Sequence, residues 1–106
     1  MDKEKREILI HLGRFIRYNR TIRNLSIGQI EKKYSFDKAL WSKIENGKLP
    51  SMPKPELLML LADILDCNCV EMYKIVGYLK DSDIYKYISD SHRIREKDSG
   101  RKSMKP

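Results

Sequence analysis

The chain has few of the features that would commit it to chemistry or to a membrane. It holds only two cysteines, Cys67 and Cys69, which stand too close together for an ordinary disulfide between neighbours on one element. A disulfide framework is therefore excluded, and the reducing cytoplasm is the expected compartment. Its two histidines, His11 and His92, are distant from each other and from the cysteines in sequence, so no metal site is expected. No Ser/His/Asp, Cys/His or paired-carboxylate arrangement stands out, and Asp81 with Asp83 looks like a cap cluster, so no catalytic residue, no cofactor and no enzymatic activity are expected. Long apolar runs are missing as well. The stretch from Leu57 to Leu65 is interrupted by Asp63 and falls short of the roughly 18 apolar residues of a membrane span. Behind the charged start Met1 to Arg6, Ile8-Leu9-Ile10 ends at His11, too short for a signal-peptide core. No segment keeps the strand period of two for long, and no internal repeat is visible.

What is present is charge over a modest apolar fraction. Charged residues make up 35% of the 106 and apolar residues 41%, which suits one small globular domain with a solvated face. The net charge is +7, from 22 Lys and Arg against 15 Asp and Glu. Residues 1–91 hold 16 basic and 13 acidic groups, and residues 92–106 hold six and two, so more than half of the excess sits in the last fifteen residues. A polyanionic partner fits this balance, although the +3 on the first part alone would be unremarkable.

Apolar spacing and cap residues divide the chain into about five helices. Ile8, Leu12, Phe15, Ile16 and Ile22 recur at helical spacing and predict a first helix from about Lys3 to Arg23, with Arg14, Arg17 and Arg23 read as a solvated helix face ahead of the alternative, a DNA contact. Ser26 with Gln29 three residues on is a capping box, and Leu25 with Ile30 a hydrophobic staple, for a second helix ending near Lys33. After the turn Tyr34-Ser35-Phe36, Asp37 caps a third helix from Lys38 to Glu45, stopped by Asn46-Gly47. Pro50 and Pro53 stiffen the loop that follows, and Pro55 opens a fourth helix with a broad stripe of Leu57, Leu58, Leu61, Ile64 and Leu65. Asn68 with Glu71 opens a fifth, reaching about Tyr78, and Cys67 and Cys69 read as buried filler. The expected organisation is a domain over 1–79, a short helical extension over 80–90 that carries Ile84, Tyr85 and Ile88 as a dimer element, and a flexible basic tail over 91–106.

The stretch from Leu25 to Lys48 places two short helices about a tight turn. Ile30, Phe36, Trp41 and Ile44 are spaced to face a common core, with Leu40 leaning toward packing. The other face of the third helix is then Lys38, Ala39, Ser42 and Lys43. A helix that shows small and basic residues outward can enter a DNA major groove without steric conflict.

Leu25-Ser26, Ile30, Trp41, the run Ser42-Lys43-Ile44-Glu45-Asn46-Gly47-Lys48, Leu57-Leu58, Leu61-Ala62 and Leu65 together resemble the phage-repressor and Cro-type helix-turn-helix proteins, over roughly Leu12 to Tyr78. The resemblance implies an all-α, five-helix, lambda-repressor-like DNA-binding domain. It implies a recognition helix from Lys38, with Lys38, Ala39 and Lys43 at base-contacting positions, Ser42 beside them, and Asp37 as cap or acceptor from a cytosine amino group. Ser26 would contact phosphate at its helix start, Asn46 and Lys48 would approach the DNA backbone, and Arg20 would pair with Glu45 inside the domain. Three positions depart from the family. Ile27 stands where Gln is usual and cannot hold a phosphate. Glu31 stands where Ala is usual, so it must bend outward or the helices must separate slightly. Ser35 stands where Gly is usual in the turn. The loop after Gly47 is also about two residues longer. A transcriptional regulator, a repressor binding duplex DNA as a homodimer in the cytoplasm, is the implied function. With no second domain visible for an inducer, control is expected through concentration, a regulatory protein partner or removal of the protein. An antitoxin-like or anti-repressor protein-interaction module on the same fold is the alternative, favoured by Ile27, Ala39 and Leu40.

Overall fold

The computed structural model describes residues 1–78, and the expectations placed on residues 79–106, including the dimer element and the basic tail, lie outside the described residues. Five α-helices and no strand occur among the described residues. Helix α1 (Lys3–Ile22) starts at Asp2, whose carboxylate accepts from the Lys5 amide at 2.8 Å. Its Leu9, Leu12 and Ile16 are buried at i, i+3 and i+7. It ends one residue before the expected Arg23, because Asn24 turns left-handed (φ 55°).

Helix α2 (Ile27–Tyr34) carries the full capping box: Ser26 Oγ accepts from the Gln29 amide at 3.0 Å, and Gln29 Oε1 accepts from the Ser26 amide at 2.8 Å. Ser35 then adopts the left-handed conformation the turn requires (φ 54°, ψ 38°), a strained choice for a residue with a Cβ. Helix α3 (Lys38–Glu45) is capped by Asp37, whose Oδ1 accepts from the Ala39 amide at 2.9 Å. Glu31 bends outward, as its size demands, and its carboxylate accepts from the Lys38 amide at 3.3 Å. The residue that crowds the α2–α3 approach thus becomes a second cap on α3.

Gly47, with φ of 67°, lets the chain leave α3 where a Cβ would strike Ile10 of α1 at 2.8 Å. Arg6 fixes the loop that follows by donating from Nη1 to the carbonyls of Gly47 and Leu49, at 2.5 and 3.1 Å. Helix α4 (Pro55–Leu65) begins with proline, whose missing N–H removes one orphan donor. Helix α5 (Cys69–Val76) begins at Asn68, whose side chain accepts from the Val70 amide, and ends two residues short of Tyr78 at the left-handed Gly77. The Tyr78 hydroxyl donates to the Pro53 carbonyl at 2.6 Å, which returns the end of α5 to the loop before α4.

The core gathers Leu9, Leu12 and Ile16 of α1, Ile30 of α2, Trp41 and Ile44 of α3, Leu58, Leu61 and Leu65 of α4, and Met72 and Val76 of α5. Phe36 meets Trp41 edge to face, with ring centroids 5.2 Å apart, a geometry worth about 0.5–1.5 kcal/mol beyond burial. Cys67 and Cys69 are half-buried rather than fully buried, because they flank the start of α5 at the core's margin. Among the described residues no helix is long and apolar enough to cross a membrane.

Candidate nucleic-acid interface

Eight residues are too few for a helix to hold itself in water, so α3 depends on what its inner face touches. That face is Trp41, Ile44 and Glu45, all buried, with Leu40 half-buried beside them. Glu45 is the unusual member, a carboxylate only 5% exposed. It survives there because donors surround it. Arg20 donates from Nε to Oε2 and from Nη2 to Oε1 at 2.9 Å, Trp41 donates from its indole to Oε2 at 2.6 Å, and Arg17 donates from Nε to Oε1 at 3.2 Å. Burial pushes the Glu45 carboxyl up, but the hydrogen bonds from Arg20, Trp41 and Arg17 outweigh it and hold the group below its ordinary value. The bond to Glu45 in turn raises the Arg20 guanidinium. Arg20 also donates to the Leu25 carbonyl at 2.9 Å, so one side chain joins α1, the α1–α2 turn and α3. The pairing of Arg20 with Glu45 expected from sequence is therefore present. No buried side-chain polar atom among the described residues lacks a partner.

With the inner face locked, the outer face of α3 is fixed in direction. Lys38, Ala39, Lys43 and Asn46 are exposed and Ser42 is half-buried, so the expected residues share one surface. Lys48 is exposed just beyond, and its amide donates to the Lys43 carbonyl at 2.8 Å. Ser26 is exposed at the start of α2, where its oxygen is engaged by the capping box. Asp37 is exposed and spent as a cap.

Asn46 is more committed than the sequence suggests. Its Nδ2 donates to the Ser42 carbonyl at 2.9 Å and to Ser42 Oγ at 3.3 Å, while its Oδ1 accepts from Arg17 Nη2 at 2.9 Å. Ile27 is half-buried and packs on the core. Leu40 also packs, and with Leu49, Met52 and Leu57 it lines an apolar groove between α3 and the start of α4.

The solvated arginine series needs correction. Only Arg14 of the three is exposed without a hydrogen bond among the described residues. Arg17 bridges Glu45 and Asn46, and Arg23 donates to the carbonyls of Asn19 and Asp66 and to Asn19 Oδ1. These contacts join residues 28 to 43 positions apart or lie at a helix end, and helical spacing alone gives no sign of them. Arg6 and Tyr78 were missed for the same reason. Gly13 did leave a signal, as a glycine inside a long apolar-periodic helix marks a close approach. It is buried where α1 crosses α3.

The surface presents ammonium and hydroxyl donors around one small residue, on a rigid helix. Ammonium groups can donate to guanine O6 and N7 or neutralise phosphate. Among the described residues no group of three or more His, Cys, Asp or Glu is placed to hold a metal ion. No family model, curated protein or solved structure matches the chain.

Proposed function

We propose that this chain is a lambda-repressor-like, sequence-specific duplex-DNA-binding regulator of transcription, a repressor, that reads the major groove with α3. One observation carries the reading. A short, doubly capped helix has its inner face locked by Trp41, Ile44 and Glu45, and its outer face offers Lys38, Ala39, Ser42 and Lys43. A major groove about 12 Å wide admits such a helix, and the absence of bulk at Ala39 allows close approach. Ser26 and Lys48 flank α3 in the sequence and supply the phosphate contacts that set register. The protein acts in the cytoplasm at the nucleoid, as a homodimer on a palindromic site with half-sites about one helical turn apart, and blocks or recruits polymerase there.

The test is fluorescence anisotropy with a duplex that the chain has selected from a random-sequence pool, against a scrambled duplex, at several salt concentrations. The wild-type chain is expected to prefer the selected duplex by about a thousandfold or more. Lys38→Ala/Lys43→Ala is expected to lose most of that preference, at about 1–3 kcal/mol for each base contact removed. Equal, steeply salt-dependent binding to both duplexes, unchanged in the double variant, would refute the reading.

The second reading is an antitoxin-like or anti-repressor module that binds a regulatory protein partner. The apolar groove of Leu40, Leu49, Met52 and Leu57 beside α3 favours it. Charge reversal at Lys38 and Lys43 that abolishes DNA binding but leaves a protein partner bound would separate the two.

A further inference from the structure

We infer that Arg17 is a phosphate-contacting residue, a guanidinium held ready by Glu45 and Asn46 to take one backbone phosphate beside α3. The inference rests on the DNA-binding reading and adds to it a contact from α1.

Charge is the first argument. One carboxylate, Glu45, meets two guanidiniums, so the cluster carries a net positive charge. Arg20 and Trp41 already supply both oxygens with close donors, and Arg17 adds only a 3.2 Å bond to Oε1. The two arginine side chains also differ in exposure, at 18% for Arg20 and 52% for Arg17. The excess charge therefore sits on the exposed residue. Closing a buried ion pair does not require it.

Geometry is the second. A guanidinium has five N–H donors in a planar fork. Arg17 spends the edge shared by Nε and Nη2 on Glu45 and Asn46. Of the three remaining donors, one on Nη1 and one on Nη2 form the outer edge, the pair that suits bidentate binding of a phosphate. Among the described residues that edge has no hydrogen-bond partner. Two points of attachment fix the plane of the group, so little rotamer freedom is left to lose on binding.

Placement is the third. Arg17 connects through Asn46 to Ser42, a continuous chain of hydrogen bonds that ends on the outer face of α3. Asn46, whose amide is spent inside this chain, acts as a positioning residue for Arg17 and contacts DNA only through it. An anion on the outer edge of Arg17 lies at the C-terminal border of the proposed reading surface.

The test compares the full-length wild-type chain with Arg17→Ala and Arg17→Lys. The probe is the fluorescein-labelled duplex that the wild type has selected from a random pool, read by anisotropy across a salt series. A lost phosphate contact is expected to weaken binding about tenfold and to lower the slope of log affinity against log salt by about 0.9 per bound protomer. The preference for the selected over the scrambled duplex should stay unchanged, because phosphate contacts carry no sequence information directly. Arg17→Lys should keep the wild-type slope with intermediate affinity. A purely structural role would show otherwise: Arg17→Ala would lower the thermal midpoint and erode the preference while the slope stayed fixed, and that result overturns the inference. If the wild type binds but Arg17→Ala leaves both affinity and slope intact, the Arg17 role alone falls. If the wild type selects no duplex at all, the DNA-binding reading falls and takes the Arg17 role with it.

Discussion

Gly13→Ala reverses the usual sign of a glycine-to-alanine change, and the crossing of α1 over α3 is the reason. In an open helix interior the substitution stabilises by about 1 kcal/mol, because alanine restricts the unfolded chain. At Gly13 the new Cβ would lie 2.4 Å from the Glu45 carbonyl oxygen, 2.5 Å from that of Ile44 and 2.8 Å from the Glu45 carbonyl carbon. All three are backbone atoms and cannot rotate aside. Relief requires α1 to move off α3 by more than about half an ångström, which strains the bonds from Arg17 and Arg20 to Glu45 and loosens the core that Leu12, Ile16 and Trp41 share. Overpacking of this kind costs about 1–3 kcal/mol, and disturbing a buried ion pair adds to it, so a net loss of about 2 kcal/mol is expected. Gly28→Ala is the control: its Cβ would meet nothing nearer than Ser26 Oγ at 3.8 Å. There the propensity gain survives, at roughly 0.5 kcal/mol near a helix start. Urea denaturation followed by the fluorescence of Trp41, the single tryptophan, reads both variants. With a slope near 1 kcal/mol/M, the Gly13→Ala midpoint should fall by about 2 M while that of Gly28→Ala rises slightly. A Gly13→Ala midpoint at or above wild type, with the slope unchanged, would show that the helices do not cross this closely.

Two further substitutions test the buried carboxylate and the turn. Glu45→Gln should destabilise by about 2–3 kcal/mol at neutral pH, because Arg20 is left largely buried without its countercharge. The Glu45 carboxyl is held below its ordinary 4.5 in the folded chain, so its contribution is complete above that value and is lost as pH falls through the lower folded value. The gap between wild type and Glu45→Gln in urea midpoint should therefore narrow below about pH 4.5, and a gap that stays constant to pH 2 would contradict the assigned ion pair. Ser35→Gly should raise the thermal midpoint, by the equivalent of roughly 0.5–1 kcal/mol, because it relieves the left-handed backbone between α2 and α3; a lower midpoint would mean that the Ser35 side chain holds the turn.

What the sequence made legible was mostly local. Ser26 with Gln29, Asp37 and Asn68 each cap the helix they were expected to cap, since a cap and its amides lie within three residues of one another. The apolar stripes of α1 and α4 were readable from period alone, and Trp41 and Ile44 lie in the core as their spacing required. Glu31 was recognisable as too large for its place, but its second use, as an acceptor for the Lys38 amide, needed the actual approach of α2 to α3. Arg6, Arg17, Arg23 and Tyr78 were not legible. Each is a long polar side chain on a helix or just beyond one, and each finds a carbonyl or carboxylate brought close only by the tertiary fold. Part of the candidate surface was likewise legible only in outline: the exposure of Asn46 was foreseeable, but the spending of its amide on Ser42 and Arg17 was not.

These contacts divide α3 into two halves with different duties. The direction of the helix is set from inside, by Trp41, Ile44 and the donors converging on Glu45, and from its start, by Asp37 and Glu31. Lys38, Ala39 and Lys43 take no part in that support with their side chains, being exposed on the far face. Substitutions there leave the helix where it is and change only the chemistry it presents, so in the proposed function the sequence preference can drift while the scaffold stays fixed. Ser42 and Asn46 do not share that freedom. They lie on the same surface but belong to the hydrogen-bond chain that reaches Arg17 and through it Glu45, so a change at either alters the posture of the arginine as well as the surface itself. Variation in recognition is therefore cheapest at the N-terminal and middle turns of α3 and most constrained at its last.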